Sequence, residues 1–367
     1  MSSPTRPGRW LLIAAWLSFV AEVVIIGTGG AVRLTGSGLG CSEWPLCTPE
    51  SLVPTEELGI HGVIEFGNRT LTGVVGVLAL TVLVLTFLYV RARRGLRLTV
   101  WFAAGGIAAG IVAALIAGVF AAPPFVVFSS VVLVAVIAAA IVTVRTVSER
   151  RDLLVLAWIV VAGVVAQALV GGITVLTGLN PSIVGFHYVS SVVLVAVTAA
   201  FLVRAHEVPG RRELVVPLWF AVLTHATTVA LAVTLAFGVL TTANGPHSGD
   251  ANVIRTGFDA SVLAHVHAIP GYVLGGLLVL LVGAGAVLRT PTLRWSVALL
   301  AVVVVQIAVG VYQAREGLPP IAVGVHMVLA ALAGAAMTVV VLRLKRPIAD
   351  AIAVDERQRV EASVSSS

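Results

Sequence analysis

Apolar runs of about twenty residues recur along almost the whole chain, separated by short polar or charged breaks. They lie near 10–32, 62–90, 98–120, 125–144, 153–176, 183–203, 215–238, 262–288, 295–313 and 321–342. At a helical rise of about 1.5 Å per residue, each is long enough to cross a bilayer core about 30 Å thick. The pattern therefore predicts an all-α polytopic membrane protein with about ten transmembrane helices. The first run follows Arg6 and Arg9, as a signal peptide would. It is too long for a signal core, and no small-residue cleavage site precedes GGAVRLTGSG, so it reads as a helix. Residues 1–9 read as a cytoplasmic N-terminus, and residues 347–367 as a disordered cytoplasmic tail.

Composition agrees with that pattern. Hydrophobic residues make up 59% of the chain and charged residues 11%, which excludes a soluble globular protein. The net charge of +6 raises the question of nucleic acid, and the placement of the charges answers it. With an inside N-terminus, the inside segments hold the cluster Arg91, Arg93, Arg94 and Arg97, then Arg150, Arg151, Arg211, Arg212, Arg289, Arg294, Arg343, Lys345 and Arg346. The outside segments keep only Arg33, Arg255 and Arg315. By the positive-inside rule both termini are cytoplasmic, in the plasma membrane. The partner that the charge implies is the lipid bilayer, not nucleic acid.

The chain also repeats itself. Residues 164–189 laid on 303–328 match without a gap at Gln167/Gln306, Gly171/Gly310, Gly178-Leu179/Gly317-Leu318, Pro181/Pro320, Val184-Gly185/Val323-Gly324 and His187/His326. A shared Gln, Pro and His in one frame marks an internal repeat. A weaker match joins AVRLTGSG at 31–38 to GVLTTANG at 238–245, each read as the opening of an outside loop. The two offsets differ by the length of a helical pair, for which 97–150 is the candidate insertion. The expected architecture is two pseudo-symmetric four-helix bundles related by an axis along the membrane normal, spanning 10–204 and 205–346. A helical hairpin is inserted at 97–150.

His187 and His326 lie at matched depth, about 9 Å inside their helices at 1.5 Å per residue. An intramembrane ionisable residue is costly enough that function is its default reading, with hydrogen bonding to a neighbouring helix as the alternative. Two histidines from different helices at one level suit axial ligation of a haem, whereas zinc would bring Cys, carboxylate or a third His. His265 and His267 point about 200° apart on one helix, so one of them faces a shared pocket. His61 stands at the outer start of the second helix. His206 and His247 read as solvated loop residues and His225 as a packing residue. His61, Glu65 and Arg69 are spaced i, i+4, i+8 along one helix face. Glu65 and Arg69 read either as an ion pair in the bundle or as groups beside a bound reactant. Glu22 is a buried carboxylate without an evident partner. Cys41 and Cys47 in CSEWPLC read as a disulfide on the outside loop, serving as a staple or in a redox role.

Taken in order, GGAVRLTGSGLGCSEWPLC, IEFGNRTLTG, QALVGGITVLTGLNPSIVGFH and GLPPIAVGVH resemble haem A synthase over roughly 10–91 and 152–344. That resemblance implies a membrane enzyme that oxidises the C8 methyl of haem O to a formyl group by successive hydroxylations, making haem A for cytochrome oxidase. It implies haem B as cofactor, held by His267 and His326 in the C-terminal half, and haem O as substrate in the N-terminal half, held by His187. Glu65 matches the carboxylate beside the substrate, with Arg69 next to it, and Cys41 with Cys47 matches the outer-loop pair. Haem O synthase would be the supplier and an unidentified donor would bring electrons. A homo-oligomer stays open. The haem sites would lie toward the outer face.

Two features depart from the family pattern. Many family members carry a second histidine ligand on the second helix, where this chain has Asn68; either His61 takes the role or the substrate iron is bound on one side only. The 97–150 hairpin lies outside the eight-helix pattern. Two other functions compete. A di-haem b-type, quinol-linked electron-transfer cytochrome needs two complete His pairs, and a transporter with histidine proton relays needs polar groups near the midplane.

Overall fold

The structure is a computed structural model that describes residues 7–247, 249–250, 253 and 259–348. Ten long helices follow one another: α1 Arg9–Leu34, α2 Gly59–Tyr89, α3 Arg93–Val119, α4 Pro124–Arg145, α5 Arg151–Leu176, α6 Pro181–Ala205, α7 Leu218–Asn244, α8 Ala260–Val287, α9 Leu293–Arg315 and α10 Pro320–Leu342. All ten are long and apolar enough to cross a membrane, and the chain is a multi-pass membrane protein. α4, α6 and α10 start on a proline, whose missing N–H and fixed φ suit a first helical position. The Asn180 side chain caps α6 by accepting the Ser182 N–H at 3.0 Å. α5 and α9 end alike, on glycines with φ of +61° (Gly178) and +71° (Gly317), a conformation that only glycine adopts without steric cost.

The loop that contains Cys41 and Cys47 lies against the starts of α2 and α4 and the end of α5, here called the cysteine-loop end, while Arg150, Arg204 and Arg212 gather at the opposite end. The buried apolar residues form separate clusters. One unites α1, α2, α4, α5 and α6, with Leu83, Phe87, Leu153, Leu154 and Trp158 at its centre. A second unites α7 to α10 around Phe220, Leu278, Leu281 and Leu299. A third, smaller cluster of Ile26, Val192, Val195, Ala199, Ala331 and Ala335 joins α1 and α6 to α10.

α2 packs directly on α5, although α3 and α4 intervene in sequence, and the α3–α4 hairpin lies outside this pair with α4 against α5. Gly106 faces Ala135 and Gly110 faces Phe128, which lets the two hairpin helices approach closely. A buried hydrogen bond from Trp158 Nε1 to Thr143 Oγ1, 2.9 Å, fixes α4 to α5.

Several expectations need correction. GVLTTANG does not open a loop, because α7 continues through Asn244. His225 is exposed on α7 and packs against nothing in the bundle interior. His247 is not a solvated loop residue: its Nε2 meets Leu318 O at 2.8 Å and its carbonyl accepts from Arg33 Nε at 2.7 Å. The first residues of the expected disordered tail are ordered, with Lys345–Pro347 pairing antiparallel to Arg212–Leu214. The rest of that tail, and Arg255 and Arg6, lie outside the described residues. Beside this small ribbon, Glu207 bridges Arg204 at 3.1 Å and Arg212 at 3.3 Å.

Candidate functional site

The loop after α1 folds back over the first turns of α2. The Cys41–Cys47 disulfide closes it. Glu65, 4% exposed, accepts the Cys41 N–H on Oε2 at 2.7 Å, and its Oε1 accepts from Arg69 through both Nε and a terminal nitrogen. The remaining donors of Arg69 reach Glu43 O and Leu46 O at 2.9 Å each and Cys41 O at 2.8 Å, while its guanidinium lies 4.6 Å from the centre of the Trp44 ring. A planar five-donor fork matches such a set of acceptors, and a lysine would not. The Glu65–Arg69 ion pair thus exists and ties the disulfide loop to α2.

The same pair borders a cavity of about 1290 Å³ of atom-free space, open mouth included, between α1, α2, α5 and α6. His187 on α6 lines it too, with Asn68 and Glu22. The structure therefore brings Glu65 and Arg69 together with His187, which is far from them in sequence. Gln167 on α5 donates to His187 O at 3.0 Å and to Ser190 and Ser191, which fixes the two helices in register. His187 Nδ1 is buried with no hydrogen-bond partner.

In the second half, Gln306 on α9 donates to His326 O at 2.9 Å, repeating the bond 139 residues later. His326 Nδ1 is likewise buried and unpartnered. Its ring stands 6.1 Å from that of His267 on α8, the planes inclined by 79°. His267 Nδ1 lies 3.0 Å from Thr234 O; because a carbonyl can only accept, Nδ1 carries the proton and Nε2 keeps its lone pair. His265 is exposed and turned away from this pair.

Each of these rings rests on a helical glycine. A Cβ at Gly171 would lie 3.4 Å from His187, at Gly310 3.1 Å from His326, and at Gly238 3.0 Å from His267. The fourth such place has Gly29 on α1, where a Cβ would lie 3.9 Å from Asn68 Oδ1. Asn68 thus stands in α2 as His267 stands in α8. Its Oδ1 accepts from Thr28 Oγ1 at 2.8 Å. His61 is elsewhere: it is exposed, its Nδ1 is 2.9 Å from Ser37 Oγ, and it does not line the cavity.

Residues 9–116 match the model of the cytochrome oxidase assembly protein family, COX15-CtaA. The match covers less than a third of the chain. Among its relatives, a haem A synthase of Exiguobacterium sibiricum is 33% identical over 93 residues, which is 25% of this chain and 30% of the relative. One of Bacillus mycoides is 37% identical over 82 residues, 22% of this chain and 25% of the relative. One of Bacillus pumilus is 40% identical over 75 residues, 20% and 23% respectively. The matched part spans less than a third of the length of these relatives.

The matched segment contains Cys41, Cys47, Glu65, Asn68 and Arg69 and does not reach His187, His267 or His326. Those three rest on geometry. The buried, unpartnered imidazole nitrogens and the ring-facing glycines fit flat groups held by histidine, so the residues present suit haem. Among the described residues no cluster of three or more His, Cys, Asp or Glu could hold a metal ion by itself.

Sequence reasoning missed Arg33, which lines the cavity and reaches across to Thr242 O at 2.6 Å and His247 O. Its partners lie more than two hundred residues away, beyond any local pattern. Thr28 was missed as well; the glycine pair that follows it was the only signal.

Proposed function

We propose that the protein is a haem A synthase, with haem O as substrate in an N-terminal bundle and haem B held in a C-terminal one. The observation that carries this reading is asymmetry. Three of the four glycine-backed positions are histidines, the fourth is Asn68, and the half with Asn68 also has the cavity and the Glu65–Arg69 pair. A permanent di-haem carrier would fill all four positions with ligands.

Bound haem B would supply redox-active iron for electron transfer. His267 and His326 would hold its iron, the Thr234 carbonyl fixing the tautomer of His267. His187 would hold the substrate iron from one side, and Asn68, occupied with Thr28, would leave the other side free. Glu65 would stand beside the methyl to be oxidised, its carboxylate oriented by the Cys41 N–H and its charge balanced by Arg69. The hydrogen bond from Tyr188 to Met327 O, 2.9 Å, joins the two histidine-bearing helices one residue past each ligand and sets the separation of the two sites. Both termini would be cytoplasmic and the cysteine loop outside.

The test is to express the protein in a bacterium that makes haem O, purify it, and identify the extracted haems by chromatography and mass. Haem A is the expected product. Haem B alone would favour the electron-transfer cytochrome, and no haem at all would overturn both readings.

A further inference from the structure

Most polar groups around the cavity are already partnered. Glu65 has Arg69 and the Cys41 N–H, Arg33 has two carbonyls, Asn68 has Thr28, and the Gln167 amide nitrogen has the His187 carbonyl. Glu22 differs. It lines the same cavity from α1, twelve residues before Leu34 and so roughly 18 Å from the cysteine-loop end of that helix at a rise of about 1.5 Å per residue. It is 2% exposed, and its Oε1 is buried without a hydrogen-bond partner. Val75, Val164 and Leu194 are among the apolar side chains that line the same cavity. A carboxyl in such surroundings is costly unless something hydrogen-bonds to it.

The missing group does not come from a second pocket. A separate, smaller pocket bounded by Ser18, Val82, Val160 and Phe201 does not have Glu22 in its lining. Thr198, which also borders it, already donates to Val195 O at 2.9 Å. The free face of the carboxyl therefore looks into the large cavity.

We infer that Glu22 recognises a hydroxyl group on the buried, apolar end of the ligand in the large cavity. This rests on the proposed function, under which the ligand is haem O. Haem O carries a hydroxyl where its isoprenoid arm joins the ring, and haem B has a plain vinyl group there. A site with a buried group that needs a hydroxyl partner rejects the analogue that lacks it, because the protein group is then left unpaired. Glu22 is thus a specificity residue that makes the N-terminal site select haem O over the more abundant haem B.

The test uses the full chain expressed in cells that make both haems, with haem O plus haem A counted against haem B per protein. Glu22→Leu is expected to lower that ratio at least about tenfold while the haem B held by His267 and His326 stays, as its spectrum will report. Glu22→Gln keeps a carbonyl acceptor and is expected to stay within a few-fold of the parent. Where the Leu variant fails to accumulate, Glu22→Met is read by the same criterion. An unchanged ratio in the Leu or Met variant overturns the inference, as does a Gln variant as poor as Leu. His187→Ala is run in parallel. Its loss of haem O and haem A with an unchanged ratio in Glu22→Leu sinks the role of Glu22 alone; unchanged haem O and haem A in His187→Ala sinks the substrate-cavity reading with it.

Discussion

At the scale of single residues, Arg69 and the ring-facing glycines make the sharpest demands. Arg69 is nearly buried and joins one carboxylate, three carbonyls and an indole face, so its removal leaves Glu65 without its counter-charge. Breaking such a buried pair costs about 3–5 kcal/mol, against about 0–1 for an exposed pair. Arg69→Ala is expected to lower the thermal midpoint in detergent markedly, and Arg69→Lys to recover little of it. A Lys variant as stable as the parent would show that charge alone suffices. Gly310→Ala would push a methyl group to 3.1 Å from the His326 ring, closer than Gly171→Ala to His187 at 3.4 Å. The haem spectrum of the purified Gly310→Ala variant should therefore be the more disturbed of the two. The histidines were legible in the sequence because an ionisable residue in an apolar helix is conspicuous and because the 139-residue repeat doubled the signal. The equivalence of Asn68 to His267 was legible only through the family resemblance, since an asparagine bonded to Thr28 leaves no periodic trace.

At the scale of elements, the ten helices were readable because a membrane span needs a long apolar run. Their ends were less so. α7 runs to Asn244, six residues past the apolar run read to 238, because threonines at a helix end can bond the preceding turn, as Thr241 does to Phe237 O and Thr242 to Gly238 O at 2.8 Å each. The disulfide loop is an element in its own right. The Cys41 N–H, the Cys41 carbonyl and the carbonyls of Glu43 and Leu46 all serve the Glu65–Arg69 pair, so the disulfide holds the acceptors in place. Opening it with Cys41→Ser and Cys47→Ser together is expected to reduce stability and haem A yield in parallel. Full yield with the pair removed would confine the disulfide to a dispensable staple. The α3–α4 hairpin makes the opposite prediction. A Cβ on Gly106 would stand 2.5 Å from Ala135 Cβ, so Gly106→Val should part the two hairpin helices and lower the melting temperature. Because α2 packs on α5 without the hairpin, haem content should not change.

At the scale of the molecule, two apolar cores meet along a narrow seam of α1, α6 and α10, where small residues such as Ala331 and Ala335 let the helices approach. Arg33 and Tyr188 cross the same seam. These crossings escaped the sequence because they join segments far apart in the chain. The central claim is that the two halves, built alike, differ in one ligand: His267 with His326 in one, His187 opposite Asn68 in the other. The most direct measurement is low-temperature electron paramagnetic resonance of the oxidised, purified protein loaded with haem B and haem O. One low-spin signal that disappears in His326→Ala, together with one high-spin signal that disappears in His187→Ala, is the predicted result. Two low-spin signals in the parent protein would mean that a second ligand completes the N-terminal site, and would contradict the account.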